Sequence, residues 1–170
     1  PFVLYLLGLA GIVTTTPYPL NIYDIVLIFG SLFLILYCVF FLWIKKRGEN
    51  LVTSGPYRIV RHPQYFAVTI FTSITSYQSL WILMHTLGIG WLSYEETWML
   101  WIGMLIAYVG IAWYEELHLQ QVFGSEWEEY RTHVGFLIPF VKSKSRLVEA
   151  IICLIIPIVI LYASLHFFQL

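Results

Sequence analysis

Charge is what this 170-residue chain has least of: nine Lys and Arg and ten Asp and Glu leave 11% charged residues and a formal net charge of −1. So small a basic complement leaves no electrostatic footprint for nucleic acid, and no nucleic-acid partner is expected. Cysteine is nearly absent as well. Cys38 and Cys153 lie in apolar runs without a C-x-x-C spacing, so free thiols among apolar side chains or lipid are expected, rather than a disulfide or a metal site. What remains is apolar. Hydrophobic residues make up 59% of the chain and aromatic ones 18%, with a mean hydropathy of +0.78, which excludes an ordinary soluble domain.

A membrane-spanning helix needs roughly 20 apolar residues, so a chain of this length holds about five. Segment 2–13 is apolar but short for a span, and its helix is expected to begin upstream of Pro1. A secretory signal would need a basic n-region and a small-residue cleavage site, which this segment lacks. Residues 14–21, with Pro17 and Pro19, form a loop; 22–44 is a span closed by Lys45-Lys46-Arg47; 65–87 is the next. A short loop at 88–96 leads to a span over 97–114, a polar segment over 115–146 and a last span over 147–168.

All nine Lys and Arg fall between Lys45 and Arg61 or between Arg131 and Arg146, while the loops 14–21 and 88–96 have none. By the positive-inside rule both basic segments are cytoplasmic. The expected architecture is an all-α integral membrane protein of about five transmembrane helices, N-terminus in and C-terminus out. One domain spans 1–170, and a short interfacial helix lies on the cytoplasmic side.

The longest polar interruption in the first two thirds of the chain runs from Asn50 to Tyr65. Pro63 suits the first turn of a helix, where its missing N–H has no partner to lose and its φ is already helical. His62 then caps that helix, and Arg61 and His62 stand at its positive end, a place for an anion. On the same membrane face the preceding topology puts Glu115 and Glu116, near the end of an adjacent antiparallel helix. Acidic residues there oppose the helix dipole and call for a partner. That partner is either a salt-bridge network with the Arg61 region or a zwitterionic ligand, its carboxylate near Arg61 and His62 and its ammonium near a glutamate. Beyond, Gly124 is a natural helix stop. Ser125-x-x-Glu128 reads as a capping box opening a short helix whose Trp127 and Tyr130 share a face suited to the headgroup level. That helix ends at Gly135 and roofs the space between the charged helix ends. The residues from Leu137 to Phe140 return toward the bilayer.

Gly55-Pro56-Tyr57-Arg58, Val60-Arg61-His62-Pro63-Gln64-Tyr65, Glu115-Glu116 and the Tyr130…Val134…Ile138-Pro139 segment together resemble the isoprenylcysteine carboxyl methyltransferase family, relatives of the phospholipid methyltransferases. The resemblance covers residues 51–140 and leaves the last span with no reading beyond anchoring or packing. It implies an integral-membrane enzyme that uses S-adenosyl-L-methionine, releases S-adenosyl-L-homocysteine and takes its acceptor laterally from the lipid. The expected cofactor-binding set is Tyr57, Arg61, His62, Pro63, Tyr65, Glu115 and Glu116. The resemblance implies that His62, Tyr65 and the two glutamates hold the methionine part, with the adenosine between neighbouring helices.

The departures from the family pattern concern the acceptor: His133 and Phe136 stand where relatives often carry Arg, Gly135 where Pro is common, and Trp127 at a usual Tyr position. The cations left for an acceptor are Arg131 and His133, the expected catalytic pair. Arg clamps a carboxylate, while neutral His can also take a proton. A hydrophobic or lipid-like acceptor bearing a carboxylate, thiol or amine is therefore expected. Three other readings stand beside this one. Glu115-x-x-His118 has the spacing of a di-iron motif, but the second Glu-x-x-His that such a site needs is missing. An NADPH-dependent sterol-type reductase would want a further basic cluster for the 2′-phosphate, and a non-enzymatic scaffold needs no site at all. His85 and His166 fall near the outer face and are expected to be interfacial.

Overall fold

The structure, a computed structural model, describes residues 21–45, 51–85 and 91–167. Five α-helices and one 3-10 turn follow in order: α1 (Ile22–Lys45), the turn (Gly55–Arg58), α2 (Pro63–His85), α3 (Tyr94–Phe123), α4 (Ser125–His133) and α5 (Arg146–Phe167). Of these, α1, α2, α3 and α5 are long and apolar enough to cross a membrane. The chain is an all-α, multi-pass integral membrane protein, and the expected span over 2–13 lies outside the described residues.

The helices start and stop where backbone chemistry sets them. α2 begins at Pro63, and the His62 carbonyl accepts from the Tyr65 and Phe66 N–H groups. α3 begins three residues earlier than hydropathy alone suggests. Ser93 and Glu96 form a reciprocal capping box there, satisfying two donors that a bare helix end would leave open. It also continues past the glutamates to Phe123, with Gly124 at φ 52° ending it. Glu115 and Glu116 thus stand about two turns before the helix end, outside the reach of the dipole's last-turn effect. Their compensation comes instead from tertiary partners.

The expected capping box at Ser125 is not formed. Gly124 itself precedes α4 and the structure shows no side-chain cap, so Ser125 is already helical; the Glu128 carboxylate pairs with Arg131 and Arg146 instead. The aromatic face of α4 is likewise turned inward, with Trp127 only 1% exposed.

α2 and α3 pack antiparallel: Tyr65 meets Glu115 at one end, while Leu80 and Trp101 share a core cluster toward the other. α5 starts at the same end as α2 and packs on both α2 and α3, and α1 lies along α2 with most of its apolar side chains outward. One core cluster, built on Val109, Ala112, Phe136 and Cys153, underlies the charged end; the other, on Leu80, Trp101 and Leu161, fills the opposite half.

The return segment after α4 docks on the chain just before α2. Val60 and Gly135 form an isolated parallel bridge, and the Arg61 and His62 N–H groups donate to the carbonyls of Gly135 (2.8 Å) and Phe136 (3.3 Å). A Cβ on Gly135 would lie 2.6 Å from the Ile138 carbonyl oxygen and 3.0 Å from that of Val141, so this tight return admits only glycine.

Candidate functional site

Those two backbone bonds fix the direction in which Arg61 and His62 point. Arg61 is 3% exposed and sits between two carboxylates: Nη2 donates to Glu149 Oε2 at 2.6 Å, and Nη1 makes a 2.7 Å off-axis charge contact with Glu116 Oε1. Glu149 comes from the first turn of α5, is 1% exposed and also accepts the Ser143 N–H at 3.0 Å. A buried guanidinium is tolerable only when paired in this way.

His62, 2% exposed, faces a carboxylate with each ring nitrogen: Nδ1 is 3.3 Å from Glu115 Oε2 and Nε2 is 3.5 Å from Glu116 Oε1. Burial alone would lower its affinity for a proton, but the hydrogen bonds and charges of Glu115 and Glu116 outweigh it and raise its pKa above the ordinary imidazole value. The raised value sets the sign of the pH effect. The imidazolium's contribution to stability is complete below the unfolded pKa, near 6.5, and is lost as pH rises through the folded one. Tyr65 completes the cluster by donating to Glu115 Oε1 at 2.7 Å. The Phe136 ring covers it edge-on, 5.5 Å from His62 and 5.4 Å from the Arg61 guanidinium carbon. The Phe136 ring thus shields the charged cluster from one side.

A cavity of about 540 Å³ opens beside this cluster. Tyr57, Arg61, His62 and Gln64 line one wall, Tyr114, Glu115, His118, Leu119, Val122 and Phe123 of α3 another, and Trp127 and Tyr130 of α4 the roof. Tyr57 is pinned from both sides, its hydroxyl donating to Gln64 and its carbonyl accepting from the Tyr130 hydroxyl. Burial pushes the Tyr57 and Tyr130 phenols well above the usual tyrosine range, so both are neutral donors. A larger groove of about 880 Å³ runs between the start of α1, α2 and α5, but none of the residues singled out as a site lines it.

Of the expected cofactor set, Arg61, His62, Tyr65, Glu115 and Glu116 converge, Tyr57 lines the same cavity, and buried Pro63 sets the helix start. Arg61 is already spent on Glu116 and Glu149, so its charge is not free for a ligand. The expected catalytic pair is not at the cavity wall. Arg131 bonds to the Lys144 carbonyl and contacts Glu128 and Glu149. His133 is exposed, with Nδ1 2.8 Å from the Glu129 carbonyl oxygen of its own helix. Arg131, one turn after Trp127, reaches past the roof to the buried Glu149 at 3.9 Å, and neither Arg131 nor His133 is among the residues lining the cavity. Glu149 was missed, although a lone carboxylate in the first turn of a long apolar run is the signal that marks one: it is too costly in a bilayer to stand without a partner.

The residues also fit a zwitterion. Three groups at the cavity wall keep buried polar nitrogens without a hydrogen-bond partner among the described residues: Arg61 Nε, His62 Nε2 and Trp127 Nε1. Glu115, whose side chain is 40% exposed and is the accessible carboxylate of the cluster, lines the same cavity. Over residues 38–102 the chain matches the isoprenylcysteine carboxyl methyltransferase (ICMT) family. That stretch carries Tyr57, Arg61, His62, Pro63 and Tyr65, and the match supports the family resemblance and a membrane methyltransferase-like function. No curated protein and no solved structure gives a significant match. The glutamates, the roof helix and Glu149 all lie outside the ICMT-matching stretch, so their assembly around it is a property of the tertiary structure.

Proposed function

We infer that this protein transfers a methyl group from S-adenosylmethionine to a hydrophobic, membrane-borne acceptor at the cytoplasmic face. The observation that carries this reading is the cavity's split chemistry among the described residues: an accessible carboxylate, Glu115, on the same wall system as nitrogens of Arg61, His62 and Trp127 that have no hydrogen-bond partner there. A zwitterionic amino-acid end satisfies both halves at once. Bound there, the cofactor supplies an electrophilic methyl group. Glu115 faces its ammonium, His62 and Trp127 offer donors to its carboxylate, and Tyr65 holds the Glu115 carboxylate in place. The apolar and aromatic walls, from Leu42 and Val52 to Val122 and Phe123, exclude water and admit an amphiphile. Catalysis of this kind rests on alignment and desolvation.

Purified protein in detergent is expected to be stabilised by S-adenosylhomocysteine and not by NADPH or Fe(II). At 100 times its dissociation constant a ligand specific for the folded state adds about 2.7 kcal/mol, which a melting curve resolves. Stabilisation by NADPH alone would replace the methyltransferase reading with a reductase.

Among the described residues every Lys and Arg lies at the cavity's end of the bundle, which supports the cytoplasmic assignment. Cysteines placed at exposed Lys144 and exposed Trp91 are then expected to react with an impermeant maleimide from opposite sides, Lys144→Cys from the cytoplasm. Labelling of both from one side would overturn the orientation.

A further inference from the structure

We propose that His118 is the general base of this site, and that the acceptor is a hydrophobic molecule whose attacking atom sheds a proton on methylation, a thiol or an amine. The inference rests on the methyl-transfer reading above and names the chemistry of its second substrate.

Among the described residues the cavity's basic side chains are three. Arg61 is held by two carboxylates, and His62 lies between Glu115 and Glu116. His118 is the third. It is exposed on the cavity wall and makes no hydrogen bond, ion pair or ring contact with any described residue. Tyr114, His118 and Val122 recur at every fourth position, so one face of α3 presents the imidazole in the middle of the wall. Glu115 lies one turn earlier on the same wall. The Tyr57 and Tyr130 phenols, both raised by burial, hold their protons and do not compete as bases.

The same inventory disfavours a carboxylate acceptor. Among the described residues an anion would face Glu115 with no uncommitted guanidinium or ammonium on the cavity wall, since Arg131 and His133 do not line it. A thiol or a neutral amine meets no such repulsion, and it needs what His118 offers. The acceptor's lone pair forms the bond to the methyl carbon. The sulfonium C–S bond breaks with its pair passing to sulfur, leaving a thioether, and the acceptor's S–H or N–H proton passes to the imidazole. A carboxylate forms its ester without losing a proton, so its methylation is indifferent to a base.

That difference is the test. Wild type and His118→Gln in nanodiscs are given methyl-labelled S-adenosylmethionine with decanethiol, decylamine or decanoate. General-base catalysis is worth roughly 100-fold or more. His118→Gln is therefore expected to slow transfer to the thiol or amine by about 100-fold, to leave the slower reaction with decanoate unchanged, and to bind S-adenosylhomocysteine as tightly as wild type. Independently of turnover, the imidazole proton resonance that disappears in His118→Gln should move when decanethiol or decylamine is added to the S-adenosylhomocysteine complex. Equal losses on all three probes, no loss on any, or no transfer to thiol and amine by a protein that binds S-adenosylhomocysteine would overturn the proposal. Failure to bind S-adenosylhomocysteine at all would instead remove the methyl-transfer reading on which the proposal stands.

Discussion

Arg61→Ala is expected to cost this protein its fold as well as its activity. The guanidinium is the shared counter-ion of Glu116 and Glu149, both 2% exposed at the side chain, and its removal leaves two buried carboxylates facing each other's charge. Removing one partner of a buried ion pair costs about 3–5 kcal/mol. Against a typical net stability of about 5–15 kcal/mol, that is enough to lose the monodisperse peak in size-exclusion chromatography or to lower the melting temperature steeply. Restoring neutrality should recover part of the loss, so the triple variant Arg61→Leu, Glu116→Gln, Glu149→Gln is expected to be more stable than Arg61→Ala. A melting temperature for Arg61→Ala within a degree or two of wild type would show that the Glu116–Arg61–Glu149 triad does not hold α5 to the core.

Glu115→Gln has the opposite expected profile, a large functional loss on an intact fold. Its carboxylate is half exposed at the cavity, and its neighbours His62 and Tyr65 keep other packing when it is neutralised. Affinity for S-adenosylhomocysteine is expected to fall more than tenfold with little change in melting temperature. Glu116→Gln, by contrast, should lower stability first, because its partner Arg61 is buried. The pH dependence adds a second arm. His62 holds its proton above the ordinary range, so the wild type should lose stability as pH climbs through that raised value, and Glu115→Gln should flatten the loss by removing one cause of the shift. An unchanged affinity in Glu115→Gln would reduce the glutamate to an interfacial partner of His62.

Much of the candidate site could be seen in the sequence, because its signals are local. The Arg61-His62-Pro63 triplet marks a helix start by the steric rule for proline, and Gly124 marks a stop by its freedom at positive φ. The glutamates stood out as charges in an apolar helix. The sequence was less legible on the facing of α4. Arg131 and His133 were chosen for the chemistry of their side chains, yet Arg131 is engaged by Lys144, Glu128 and Glu149, His133 by its own helix, and neither lines the cavity. His118, passed over as half of a di-iron motif, lies on the cavity wall instead.

The sequence by itself determined the membrane class, the spans within the described residues and the gathering of cations at one end. Each of these depends on partitioning or on backbone sterics within a turn or two. Only the tertiary structure decided that Arg61 meets Glu149, 88 residues away, and that the return segment pairs with Val60 to aim Arg61 and His62. It also decided which faces of α3 and α4 enclose the cavity. The physical reason is the solvent. In a chain this apolar, the faces toward lipid and toward protein carry the same hydrophobic side chains, so periodicity does not tell them apart. The way α2, α3 and α5 pack against one another then fixes which of the few polar groups become neighbours.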